Sequence, residues 1–475
     1  MDFDNKLAEN APSQENRINL NAKSLALEIG WFASVVNARL RNCFGNENNG
    51  LSTDFVVKDN GTYITPEEIP APDFSDDHSV YAEFVSYYKL SREERLLLML
   101  TIIPHVQPHL LDVFFSLNKS ISRGYTEFGG IRGSRHSGFI PTGETALFLL
   151  AGNDLARRFN AYKLFEPDHI FTAHNIISID GSQNGEPFYS STISLSTEYV
   201  DFFTTGNLRK PPFSMEFPAR RLVTRMDWED LVVDDFTSMQ LDELRIWLQH
   251  GRTLYEDWGM SRTLKPGYKA LFHGPPGTGK TLTAALLGKL YNLDVYRIDL
   301  SMVVSKYIGE TEKNLEKVFS RAENKNWILF FDEADALFGK RTSISDAHDK
   351  YANQEIAYLL QRLEDYPGLV ILASNMRNNV DEAFVRRLQS IIHFQKPQPR
   401  ERLRLWSGAF SKQCQPPVRE SIERLSQQYE LSGGAIMNVV QFASLMALNR
   451  NDNTITMEDL LQGIRKEFMK EGKTM

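Results

Sequence analysis

Between residues 18 and 44 the apolar side chains Leu25, Ile29, Phe32, Val36 and Leu40 return every three or four positions, so this stretch predicts a long amphipathic helix. The polar residues 1–17 before it predict a disordered tail, and residues 45–72, rich in Asn, Gly, Asp and Pro, predict a loop. Helical spacing resumes over 80–88. Ser91 and Glu94 are spaced as a capping box that opens an apolar helix ending near Ile103, before Pro104, and another helix is expected over 107–117. From 119 to 141 the periodicity lapses into Gly, Ser and Arg. Arg123, Arg132, Arg135 and His136 make this the most basic part of the N-terminal half, and a solvated linker accounts for it better than an anion-binding loop.

Two short apolar helices, 145–152 and 154–160, come next, followed by β-like runs at 176–179 and 192–195. Two helices and a hairpin match the outline of a winged-helix unit at 141–206, after a mostly helical region at 18–140. Arg157 and Arg158 fall on the second helix and are read as a solvated face rather than a nucleic-acid contact. Residues 207–226 are rich in Pro and Arg and predict a linker. Beyond 227 short apolar runs at 270–272, 295–298, 327–331, 369–373 and 390–394 alternate with helical stretches. That alternation predicts an α/β fold, a doubly wound parallel sheet over 227–396. After Pro397 four helical patterns, 400–410, 418–429, 434–449 and 457–470, predict a helical lid at 397–475.

The chemistry concentrates at the ends of two of these strands. The run 270–272 leads into Gly274-Pro275-Pro276-Gly277-Thr278-Gly279-Lys280-Thr281, and the apolar helix beginning there continues through Leu282. A strand, a glycine-rich loop, Lys-Thr and a helix make the phosphate-loop pattern. Glycines let successive N–H groups turn inward around an anion, and the helix adds its positive dipole end. Lys280 would supply a point charge for the β- and γ-phosphates, and the Thr281 hydroxyl would ligate Mg²⁺. The second motif is Ile328-Leu329-Phe330-Phe331-Asp332-Glu333, a buried strand ending in two acids. Ligands of open α/β sheets bind at that end. Asp332 would hold the Mg²⁺ water shell and Glu333 would polarise an attacking water. Paired acids alone would read as solvated turn residues; with a phosphate loop upstream the hydrolytic reading prevails.

Composition narrows the setting. A chain of 475 residues implies two to four domains, and 42% hydrophobic with 24% charged residues is ordinary for a soluble protein. A net charge of −8 and a pI near 5.8 argue against a dominant nucleic-acid-binding face. Two distant cysteines, Cys43 and Cys414, suggest neither a disulfide framework nor a zinc site. The N-terminus lacks the pattern of a signal peptide, and the longest strongly apolar run, 96–103, is too short to cross a bilayer. A cytoplasmic protein without membrane insertion is expected.

With both motifs placed, residues 227–470 resemble an ATPase module of the AAA+ class, of the AAA type. The resemblance implies ATP and Mg²⁺ as cofactors. Asp227-Trp228-Glu229-Asp230-Leu231 resembles the segment that frames the adenine, and Asn375 falls where the family carries sensor 1. The stretch 381–387, ending in Arg386 and Arg387, resembles the one that carries arginine fingers. In the family these reach the nucleotide of a neighbouring subunit, so a homo-oligomeric ring, usually a hexamer, is implied. The stretch lacks the Pro-Gly-Arg extension common in the family, which leaves the principal finger open between the two. Lys306-Tyr307-Ile308 resembles pore loop 1, where an aromatic side chain grips an extended polypeptide. Ala435 stands where many relatives in the wider class carry a sensor-2 arginine. A helical N-terminal region followed by one such module also resembles ATPases associated with bacterial contractile injection systems.

The expected function is therefore ATP-driven remodelling or threading of a protein substrate, with a substrate or adaptor protein as partner. The rival is a nucleic-acid-associated AAA+ loader or transposition helper using the winged-helix region. A nucleotide-binding scaffold without turnover is a third reading, and Lys280, Asp332, Glu333, Asn375 and Arg386 together argue against it.

Overall fold

The computed structural model describes residues 14–44, 64–118, 122–179, 185–207, 210–211, 213–214, 217–299, 310–323, 325–334, 357–375 and 386–472. The chain forms two compact units, Met1–Pro211 and Pro212–Met475.

The spine of the first unit is helix α1, Gln14–Phe44, which buries Leu25, Ile29, Phe32, Val36 and Leu40, the stripe its sequence predicts. Helix α2, Val80–Tyr87, starts at Ser79, whose hydroxyl accepts from the Ala82 N–H. Helix α3, Arg92–Val106, starts at the Ser91–Glu94 capping box and runs through Pro104 rather than ending before it. Pro104 forfeits one i→i−4 hydrogen bond, but only two residues before the helix ends at Val106, and Pro108 then opens a 3₁₀ stretch, Pro108–Phe115, in place of the expected α-helix. Helices α4 (Gly143–Ala151), α5 (Leu155–Ala161), α6 (Ile170–Ala173) and α7 (Thr197–Thr205) are the other α-helices among the described residues of this unit. Two-stranded pairings fill the gaps: β1 (Leu117–Asn118) with β2 (Arg123–Gly124), β3 (Ile131–Arg132) with β4 (Phe139–Ile140), and β5 (Ile177–Ile179) with β6 (Ile193–Leu195), all antiparallel.

The stretch read as a solvated linker is part of this unit's core. Phe128 and Phe139 are buried, with ring centroids 5.4 and 5.3 Å from Phe114, and Phe128 lies 5.0 Å from Phe148. Aromatic burial outweighs the local Gly and Ser content there. One hydrophobic core runs from Leu25 to Phe203, across the boundary the sequence placed at residue 140.

The second unit is built on a six-stranded sheet. Its strands are β7 (Ala219–Leu222), β8 (Tyr268–His273), β9 (Val295–Asp299), β10 (Ile328–Asp332), β11 (Leu369–Ser374) and β12 (Ser390–His393), in the order β12-β8-β11-β10-β9-β7. All neighbours are parallel except β7, which pairs antiparallel with β9. Strand β7 corrects the expected linker at 207–226. Phe217 and Ala219 are buried, and the Phe217 ring packs against Tyr296 and Trp327 at 5.5 and 6.0 Å, which draws this segment onto the sheet edge.

Alternate residues of the central strands feed two cores, as expected for strands covered on both faces. Leu329 and Phe331 face helix α10 (Glu310–Ala322), whereas Ile328 and Phe330 face helices α8 (Asp235–Tyr255) and α9 (Lys280–Leu290). The sheet is followed by α11 (Pro399–Ala409), α12 (Arg419–Gln428), α13 (Gly433–Asn449) and α14 (Met457–Lys470), packed around Trp406, Ile436, Val439, Leu460 and Ile464. Among the described residues no single helix is long and apolar enough to cross a membrane.

Candidate active site

Strand order brings the site together. Because β11 lies between β8 and β10, the C-terminal ends of all three meet, and the loops leaving them share one cavity of about 490 Å³. Pro276, Gly277, Thr278, Gly279, Lys280, Thr281 and Leu282 line it from the loop after β8, Asp332 and Glu333 from β10, and Asn375 from β11.

The glycine loop has the shape its sequence implies. Gly274 has φ +141°, and a Cβ there would lie 2.1 Å from the Phe394 carbonyl oxygen, so no other residue fits without moving the backbone. Gly277, at φ +75°, lies against the start of α13: its carbonyl accepts from the Gly434 N–H at 3.0 Å. Gly279 precedes α9, whose first residue is Lys280. Gly274 and Pro275 stand behind the cavity and meet Lys280: its Nζ donates to their carbonyl oxygens at 2.6 and 3.0 Å and lies 3.3 Å from Asn375 Oδ1. These neutral partners hold the ammonium at the loop, where an anionic ligand would compete for it.

Asp332 is partly exposed, with an accessibility of 22%. Its Oδ1 accepts from the Glu333 N–H at 3.1 Å, and its Oδ2 is 3.1 Å from Arg297 Nη2 on β9. Glu333 is exposed and adopts φ +53°, a left-handed conformation that is uncommon for a residue with a side chain. Non-glycine residues held in this region carry strain of roughly 1–3 kcal/mol and collect at functional positions. The Thr281 hydroxyl and the Asp332 carboxylate line the same cavity and are hard oxygen donors, the type Mg²⁺ takes, so the residues present fit that ion.

The remaining candidate residues lie elsewhere. Arg386 and Arg387 are exposed and are not among the residues lining the cavity. Arg387 pairs with Glu364 at 2.9 Å, and Glu364 also meets Lys265. Lys306, Tyr307 and Ile308 lie outside the described residues.

Of the segment expected to frame the adenine, Asp230 and Leu231 line the cavity, while Trp228 packs under the Arg245 guanidinium at 5.1 Å. Sequence reasoning missed most of the apolar wall: Val232, Val233, Phe394, Pro397, Leu405 and Met437 also line it. They come from the approach to α8, the end of β12 and two lid helices, and only the fold makes them neighbours. The lid enters through Gly433 and Gly434 at the start of α13, just after its N-cap Ser432, whose hydroxyl accepts from the Ala435 N–H at 3.3 Å. Ala435 itself is buried.

Residues 270–396 match the sequence profile of the ATPase family associated with various cellular activities (AAA). The chain is 32% identical over 211 residues to a proteasome-activating nucleotidase of Aeropyrum pernix, covering 43% of this chain and 51% of that protein. It is 28% identical over 213 residues to a 26S proteasome regulatory subunit 10B homolog of Arabidopsis thaliana, covering 43% and 53%. A proteasome-activating nucleotidase of Saccharolobus solfataricus is 30% identical over 218 residues, covering 44% and 55%. The chain thus spans about half the length of the curated relatives it matches. The similarity is thus to AAA ATPases, and the glycine loop, Asp332, Glu333 and Asn375 all fall within the matched segment.

Proposed function

We propose that this chain is a ring-forming ATPase that couples MgATP hydrolysis to the remodelling or threading of a protein substrate. The observation that carries the reading is the convergence of Lys280, Thr281, Asp332, Glu333 and Asn375 on one cavity that the lid also lines. Lys280 would leave the Gly274 and Pro275 carbonyls for the β- and γ-phosphates. Thr281 and Asp332 would hold Mg²⁺, which neutralises charge on the phosphates. Glu333 would accept a proton from the attacking water, and Asn375 would orient that water or the γ-phosphate.

Arg386 and Arg387 are assigned as fingers acting on a neighbouring copy, which makes the working form a homo-oligomer, a hexamer on the family pattern. Because Arg387 is held by Glu364, Arg386 is the better principal finger. Such a finger is worth roughly 10³–10⁵ in rate in other NTPases. Lys306, Tyr307 and Ile308 are assigned to a pore loop that grips an extended polypeptide. The relatives' names, proteasome-activating nucleotidase and proteasome regulatory subunit, favour a protein substrate or adaptor. A narrower setting, a bacterial contractile injection apparatus, rests on the resemblance of the two-part organisation alone.

The nucleic-acid reading is weaker. A bridge between Thr142 and Thr192, beside the β5–β6 hairpin and helices α4 and α5, supports a winged-helix outline for that part of the first unit. Its two arginines, however, are engaged: Arg157 pairs with Glu67 and Asp154, and Arg158 with Glu144.

An unfolded polypeptide should stimulate turnover by the wild-type protein. Tyr307→Ala should lose that stimulation with basal turnover intact, and Tyr307→Phe should keep it, because the grip is steric and apolar. Normal stimulation of Tyr307→Ala, together with salt-sensitive DNA binding lost in Arg157→Ala/Arg158→Ala, would replace this reading by the rival.

A further inference from the structure

Three acids stand at the ends of two adjacent strands, and two of them, Asp332 and Glu333, line the cavity. Asp299 and Asp332 are register partners on the adjacent parallel strands β9 and β10, and Glu333 follows directly. Arg297 lies two residues before Asp299, so both point to the same face of the sheet, and its register partner is Phe330. Its side chain reaches along the strand end to place Nη2 3.1 Å from Asp332 Oδ2. The guanidinium is 41% exposed, while its Nε is buried and has no hydrogen-bond partner among the described residues. Arg297 is not among the residues lining the cavity, and the proposed hydrolysis gives it no task.

We propose that Arg297 is a positioning residue that shares Asp332 with Mg²⁺ and thereby sets the Mg²⁺ concentration at which the site takes nucleotide. This rests on the reading of Asp332 as the metal carboxylate. A carboxylate facing two cations is shared between them: attraction to the guanidinium must be weakened, or the pair opened, before the oxygen faces a divalent ion. The pair is partly exposed, so its strength is modest and the metal can win. Arg297 would also keep the cluster of Asp299, Asp332 and Glu333 from repelling itself apart before the metal arrives. A guanidinium that only tied β9 to β10 would affect folding and leave the Mg²⁺ midpoint untouched.

The test is a titration of fluorescent ATP-analogue binding with Mg²⁺ on the full chain, read without turnover. Arg297→Met keeps the volume and removes the charge, and Arg297→Gln repeats the test with a polar side chain should the first variant not fold. Either should lower the Mg²⁺ half-saturation roughly three- to tenfold, the range expected for one partly exposed charged pair. Arg297→Lys should stay near the wild type. Asp332→Asn serves as the control and should raise the Mg²⁺ requirement. A shift caused by Asp332→Asn with none caused by Arg297→Met or Arg297→Gln would overturn the inference and leave the site reading intact. Binding that ignores Mg²⁺ in the wild type and in Asp332→Asn alike would overturn both.

Discussion

Two buried charged side chains, Glu28 in the first unit and Lys280 in the second, are held in different ways. In the first unit Glu28 is 0% exposed and Arg95 9%, and they meet through two hydrogen bonds, at 2.6 and 2.8 Å. The Tyr81 hydroxyl donates to the same carboxylate at 3.0 Å, and the guanidinium lies 5.3 Å from the Trp31 ring and 5.0 Å from that of Phe74. No solute can improve on those partners, so this cluster is architecture. In the second unit Lys280 is 8% exposed, and its contacts include two neutral carbonyls and an amide, groups that an anion would outcompete. Burial alone therefore does not mark a site. Replaceable partners at the open end of a sheet do.

The sharpest way to break the contrast is Glu28→Ala. It strands a guanidinium in the core and should cost about 3–5 kcal/mol of first-unit stability by chemical denaturation, with nucleotide affinity unmoved. An equal loss of nucleotide affinity would mean that the two clusters are not functionally separate. Lys280→Ala should do the reverse. Loss of a charged hydrogen-bonding group should weaken nucleotide binding by about 2–3 kcal/mol, roughly 30- to 150-fold, with the first unit's unfolding unchanged.

The same contrast explains what could be read from the chain. The α1 stripe, the Ser91 capping box, the strands of the second sheet and the lid helices are local patterns, and they form within a few residues of where the sequence places them. The phosphate loop is legible because its glycines answer a local demand, at Gly274 the approach of the Phe394 carbonyl. What local pattern cannot show is which distant segment arrives. Phe128 and Phe139 look like stray aromatics in a Gly-Ser stretch until Phe114 and Phe148 cover them. Strand β7 depends on Tyr296 and Trp327, more than seventy residues away. The apolar wall draws on residues as far apart as Val232 and Met437, and Arg297 meets Asp332 only because β9 and β10 pair in that register.

Smaller effects refine the boundary between lid and cradle. A Cβ on Gly434 would lie 3.2 Å from Gly277 Cα, and Gly434 donates to the Gly277 carbonyl. Gly434→Ala should therefore push the lid outward by a few tenths of an ångström and weaken nucleotide binding by about 1 kcal/mol, roughly fivefold, measured by titration. At the far end of the lid, both carboxylate oxygens of Asp459 meet Arg450 at 2.7 Å. The Arg450 hydrogen bonds, aided by Thr456, hold that carboxyl well below the usual range. A depressed carboxyl contributes stability above its unfolded value, near 4, that is lost as pH falls toward the folded one. The melting difference between the wild type and Asp459→Asn should accordingly be largest at neutral pH and shrink below about pH 4. A gap independent of pH would remove the ion pair from the account.

On the proposed function, the cavity at the ends of β8, β10 and β11 binds ATP, and its cleavage there depends on Glu333 acting on water. This is tested most directly by a single-turnover measurement on Glu333→Gln with radiolabelled ATP and Mg²⁺. The nucleotide should be retained as in the wild type while hydrolysis slows by roughly a hundredfold or more, since general-base catalysis is worth about 10²–10⁴. Phosphate release at the wild-type rate from a contaminant-free preparation would contradict that reading.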